Sequence, residues 1–140
     1  MPVVLRHTVA VVIGVVVAVT IIMLFEGLNS QLFPPPAGLD HGTAAEMGTW
    51  LRTLPTGAFL LVLAGYAFGA FGGSVAIARF APSRAAHLVG LLGAILLAAS
   101  LMNLVALPHP MWFWVANVLL IVGGAWLGFR LGARRVAQPQ

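Results

Sequence analysis

Cysteine is absent from the 140-residue chain, which excludes disulfides, thiolate nucleophiles, iron–sulfur ligation and every cysteine-containing zinc site. Lysine is absent too, so the seven basic residues are all arginine, set against three acids. At 7 % charged, the chain has too few ionised groups to cover even a small soluble domain. Intrinsic disorder needs the opposite bias, with little apolar content and much charge. Catalytic signatures are missing as well. There is no nucleophile elbow or paired carboxylate, and Gly72-Gly73 sits inside an apolar run without the Lys and Ser or Thr of a phosphate loop. These absences describe a protein that is not an enzyme and carries no cofactor.

What the chain has is apolar length. It is 61 % hydrophobic, with a mean hydropathy of +1.03. Four apolar runs, over about 7–26, 58–79, 87–107 and 110–131, each match the roughly 20 helical residues that cross a hydrocarbon layer. The first run is rich in Val and Ile, which favour strands in water. In lipid the backbone must satisfy itself, and the runs are too long and uniform for barrel strands. Cleavage of the first run as a signal peptide is not expected, because Phe25-Glu26-Gly27-Leu28-Asn29 lacks a small-x-small site. The expected fold is an all-α membrane protein, a four-transmembrane-helix bundle forming a single domain over 1–140.

The net charge of +4 and a pI near 11.6 raise the question of nucleic acid, but that function needs a basic face on a folded domain. Here Arg6, Arg79, Arg84, Arg130, Arg134 and Arg135 flank the apolar runs instead. Under the positive-inside rule they place both termini in the cytoplasm, with the loop 27–55 and the turn near Pro108 outside. The expectation is a multi-pass protein of the cell inner (plasma) membrane that binds no nucleic acid. Within the outer loop, Pro34-Pro35-Pro36 forbids helix, and Thr43-Ala44-Ala45-Glu46 then fits a capping box. Met47, Trp50, Leu51 and Leu54 follow on one face, which predicts a short helix lying in the interface or closing the bundle as a lid.

Small residues at four-residue spacing let membrane helices approach closely. Every run has such a set. The first has Ala10, Gly14 and Ala18, the second Gly65, Gly69 and Gly73, the third Gly90, Ala94 and Ala98, the fourth Gly124, Gly128 and Gly132. The two unbroken glycine stripes are the expected helix-packing interfaces, and any stripe left over becomes a surface for other membrane helices. A weak half-chain repeat relates Leu54-Pro55, Gly69, Gly73 and Arg79 to Leu107-Pro108, Gly124, Gly128 and Arg134.

Polar residues recur at one depth. Tyr66, Ser100 and Asn117 fall about 10 Å below the outer boundary, with Thr20 and Asn103 slightly shallower, at about 1.5 Å per residue. With Glu26 at the rim, Tyr66, Ser100, Asn103 and Asn117 form a candidate outward-facing polar vestibule. The plainer reading of the same residues is interhelical hydrogen bonding. His7, His41, His87 and His109 lie at or beyond the boundaries rather than inside the spans, which speaks against haem ligation. Asp40, His41 and Glu46 lack the spacing of a metal site, so no metal is expected.

Two functions follow. The first is a non-enzymatic packing, accessory or assembly subunit whose partners are the lipid bilayer and other membrane helices, from its own copies or from a larger membrane complex. The alternative is a homo-oligomeric channel or transporter that passes a small solute or ion through the polar layer. Lipid binding in a groove under the loop helix is a third.

Overall fold

The computed structural model describes residues 2–39 and 42–136, all of them helical or in turns and short connections. Five α-helices follow in chain order: α1 (Val3–Leu32), α2 (Ala44–Leu51), α3 (Thr56–Phe80), α4 (Ala85–Ala106) and α5 (Met111–Val136). A 3-10 turn, Pro82–Arg84, joins α3 to α4. Among the described residues α1, α3, α4 and α5 are long and apolar enough to cross a membrane. They alternate in direction from α1 to α3 to α4 to α5. One end of the bundle therefore carries the start of α1 and the end of α5, and the other carries α2 and the α4–α5 turn.

The helix limits follow from local chemistry. α1 does not stop at Glu26 but continues to Leu32 and ends at Phe33, whose backbone N–H still donates to the Asn29 carbonyl at 2.8 Å. The residues after Glu26 include one weak breaker, Gly27, and no proline, whereas Phe33 precedes Pro34 and is disfavoured in helical backbone. Glu26 and Asn29 therefore stand on the helix rather than in a loop. After the three prolines, Gly38 takes the left-handed backbone (φ 86°) that the turn requires. Pro55, Pro82 and Pro110 precede or open the next helices, where the missing N–H costs nothing.

At the start of α2 the capping box is complete. Thr43 Oγ1 accepts from the Glu46 backbone N–H at 3.3 Å, and the Thr43 backbone N–H donates to Glu46 Oε2 at 2.6 Å. These donors, the Thr43 backbone N–H first and its hydroxyl second, hold the Glu46 carboxyl below the ordinary carboxylate range. A depressed folded-state value means the cap is intact above the ordinary carboxylate pKa and is lost as pH falls through the lowered one. Titration of Glu46 by NMR is expected to give a value below that of a free glutamate. Thr43→Ala should return it toward the free value, and an unchanged titration would contradict the box.

The bundle is organised around α3, which has the longest buried stripe of any helix. α1 crosses one of its faces antiparallel, and α5 packs on the other in parallel. Both approaches are close because glycine removes the side chain at the crossing. A Cβ on Gly73 would stand 2.5 Å from the Gly14 carbonyl, and a Cβ on Gly14 would stand 2.6 Å from Ile77 Cδ1. On the opposite face a Cβ on Gly124 would meet the Ala67 carbonyl at 2.5 Å, and one on Gly132 would meet Ala78 Cβ at 2.7 Å.

α4 packs differently. Its buried positions, Ala85, Val89, Leu92, Leu96, Ser100 and Leu104, form a stripe of mostly large side chains against α3 and α5. The main core joins Ala18, Ile22, Tyr66, Ala70, Ile77, Leu92, Leu96 and Ile121. A smaller cluster of Phe59, Leu63, Leu104 and Phe113 closes the end that carries α2.

Candidate functional site

The expected packing residues sit at close helix-to-helix contacts inside one copy of the chain. Gly65, Gly69 and Gly73 face α1. A Cβ on Gly65 would meet Phe25 Cβ at 2.8 Å, and one on Gly69 would meet the Ala18 carbonyl at 2.9 Å. Gly124, Gly128 and Gly132 face α3, with Gly128 directly over the Phe71 carbonyl and beside Ser74 Cβ. Ala10, Gly14 and Ala18 of α1 are buried in the same way.

The small-residue set on α4 has the opposite fate. Gly90, Ala94 and Ala98 are exposed, and an added Cβ on Gly90 would meet nothing within 4 Å. Gly93 is likewise open. Leu91, Ile95, Leu101, Met102 and Val105 are exposed on the same helix. The outward side of α4 is therefore apolar, shallow and low in side-chain bulk along its middle turns.

The polar layer divides in two. Deeper in the bundle, Asn117 of α5 and Ser100 of α4 form a buried pair, with exposures of 0 % and 2 %. The Asn117 amide donates to Ser100 Oγ at 2.8 Å, and that hydroxyl donates to the Leu97 carbonyl at 3.1 Å. Asn117 Oδ1 is buried with no partner. Nearer the end that carries α2 stand Tyr66 of α3, Asn103 of α4 and Glu26 of α1. Tyr66 is buried, Glu26 half-buried and Asn103 exposed. Ser100 and Asn117 are thus the members of the layer that are joined, α4 to α5, while Glu26, Tyr66 and Asn103 stand above them on α1, α3 and α4. Thr20 is exposed on α1 and joins neither group.

Sequence reasoning did not single out Gly48, Phe59 or Ser74. Gly48 lets α2 rest on the α4–α5 turn, since a Cβ there would stand 2.9 Å from Pro108 Cγ. Phe59 is the hub of an aromatic cluster with His109, Trp112 and Phe113, at centroid distances of 6.2, 6.2 and 5.7 Å. Ser74 is fully buried on the face of α3 that meets α5, and its hydroxyl lacks a partner. Only the last had a sequence signal, a lone hydroxyl directly after Gly72-Gly73 in an apolar run.

His7 packs near Leu88 and Leu91 at the termini end, and its Nε2 is buried without a partner. Among the described residues no group of three potential metal ligands comes together. Asp40 and His41 lie outside the described residues, and the Glu46 carboxylate is engaged by Thr43. Comparison with protein-family models, curated proteins and solved structures finds no match.

Proposed function

We propose that this small multi-pass membrane protein is a non-enzymatic accessory or assembly subunit that receives another membrane helix on the outward face of α4. The observation that supports this reading is the distribution of small residues. The stripes on α1, α3 and α5 are filled by contacts within the chain, and that on α4 is not. Lipid tails are as apolar as leucine, so helices associate in a bilayer through close packing, and small residues at four-residue spacing provide it. Gly90, Ala94 and Ala98 offer such a seat, with Leu91, Ile95, Leu101 and Met102 around it to grip an arriving helix. The partner is a second copy or a helix of a larger membrane complex. In the same reading the arginine-rich end, with Arg6, Arg79, Arg84, Arg130 and Arg134, faces the cytoplasm of a cell inner membrane.

Native mass spectrometry of protein extracted gently from its own membranes tests this. The wild-type chain is expected to retain a stoichiometric partner. Ala94→Trp is expected to release it, because Ala94 is exposed and the indole fills the seat from outside the bundle. A chain that is monomeric and alone in wild-type form, or a complex that survives Ala94→Trp intact, would overturn the proposal.

A homo-oligomeric channel or transporter is the second reading. It is favoured by one observation, the unpartnered Asn117 Oδ1 held fully inside the bundle. A buried acceptor of this kind in a membrane protein invites a water or a solute donor.

A further inference from the structure

At the end opposite the start of α1, α2 and the start of α3 border a half-open cavity of about 410 Å³ against the α4–α5 turn. That lies within the roughly 300–1,000 Å³ usual for small-ligand sites. Its walls are of two kinds. Arg52, Thr56 and His109 supply polar groups, and Leu51, Phe59 and Trp112 supply an apolar floor. No carboxylate is among the described residues that line it.

The aromatic floor is held in place. His109 stacks on Phe113 at 5.0 Å, and both His109 and Trp112 meet Phe59 edge-on. His109 Nδ1 is 2.9 Å from the Leu107 carbonyl. A carbonyl only accepts, so Nδ1 carries the proton, and in the neutral ring Nε2 remains as an acceptor for a hydroxyl. The exposed Arg52 guanidinium presents a planar fork of donors suited to phosphate oxygens. The cavity opens where the apolar spans end, the level at which lipid headgroups lie.

We propose that this cavity binds the phosphate of an anionic, hydroxyl-bearing headgroup, with phosphatidylglycerol as its chemical representative. Arg52 takes the phosphate, His109 Nε2 accepts from a headgroup hydroxyl, and Phe59, Leu51 and Trp112 cover the upper part of the chains. A choline headgroup suits the site less well, because its ammonium would face the Arg52 charge with no carboxylate to balance it. The same phosphate chemistry is available from free phosphate in solution, but that source would leave the apolar floor unused. The site stands independently of whatever occupies α4.

The test is native mass spectrometry of the detergent-solubilised protein with phosphatidylglycerol, phosphatidylcholine or inorganic phosphate added. Phosphatidylglycerol is expected to be retained in preference to phosphatidylcholine, and Arg52→Gln to weaken its retention about fivefold, the effect of one arginine near an anionic lipid. His109→Phe, which keeps the aromatic stack and removes Nε2, should reduce the preference as a second variant. Arg6→Gln, at the opposite end, should leave it unchanged. Inorganic phosphate that binds without lipid, with the same dependence on Arg52, would keep the phosphate site and place its source in solution. Equal retention of the two lipids, or retention unaltered in both cavity variants, would overturn the proposal.

Discussion

Gly73→Leu is expected to abolish the folded bundle, while Gly90→Leu leaves it intact. The two glycines look alike in sequence, each within an apolar helix and each in a small-residue stripe. Their surroundings differ completely. A Cβ on Gly73 would stand 2.5 Å from the Gly14 carbonyl, 2.9 Å from Leu92 Cδ2 and 3.1 Å from Ala18 Cβ. Two of those neighbours belong to α1 and one to α4, so a side chain there would push both helices off α3. The contact on the Gly14 side is backbone, which cannot rotate away. Overpacking a filled core costs about 1–3 kcal/mol, and a leucine driven against backbone belongs at or above the top of that range.

The same substitution at Gly90 meets nothing within 4 Å. Its stability change is expected within about 0.5 kcal/mol, as for an exposed position. Reversible unfolding in mixed micelles, followed by circular dichroism, separates the two. Equal losses would mean that the α1–α3 crossing is not where the glycines place it. Gly90→Leu that folds normally but sheds a bound partner would add weight to the α4 docking surface.

The contrast shows what was legible in the chain. Span number, helical type and the Thr43–Glu46 cap could be read directly, because hydrocarbon thickness and backbone hydrogen bonding leave few alternatives. The small-residue stripes were also visible, but their partners were not. Spacing along one helix gives a face, and only the arrangement of neighbours says what that face meets. Gly90, Ala94 and Ala98 have the same spacing as Gly65, Gly69 and Gly73, yet Leu92 and Leu96 turn α4 the other way.

The polar residues carry the same lesson. A depth ruler puts Ser100, Asn103 and Asn117 in adjacent layers, whereas rotation about α4 buries Ser100 and exposes Asn103. The reach of α1 past Glu26 went unseen because hydropathy falls there while helical geometry continues to Phe33. The aromatic cavity was hidden for another reason. His109 is far from Arg52 and Phe59 in the chain, and Gly48 on Pro108 is what brings their segments together.

Asn117→Asp is expected to destabilise the protein by about 3 kcal/mol, the cost of a carboxylate placed deep in a membrane helix. The site gives such a charge little compensation. Asn117 is 0 % exposed, no arginine or histidine is in its hydrogen-bond network, and the one donor in reach is the Ser100 hydroxyl, which would have to turn from the Leu97 carbonyl to the carboxylate. Asn117→Leu should be far milder. It removes one interhelical hydrogen bond, worth about 1 kcal/mol or less in a bilayer, together with an acceptor that already lacks a partner. Combining it with Ser100→Ala should bring stability back close to wild type, since replacing both partners of a buried hydrogen bond by apolar groups is often nearly neutral.

This series also separates the two functional readings. If the pair only holds α5 to α4, aspartate is not tolerated, leucine is, and no solute moves through either variant or the wild type in liposomes. If water reaches the layer, the carboxylate is solvated and Asn117→Asp folds with little loss. Flux through the wild type that Asn117→Leu abolishes while assembly survives would then establish a transport path. The Asn117 amide faces both demands at once: Nδ2 is engaged by Ser100 in the manner of a structural group, and Oδ1 is open in the manner of a binding group. Tolerance of aspartate at this one position decides which of the two it serves.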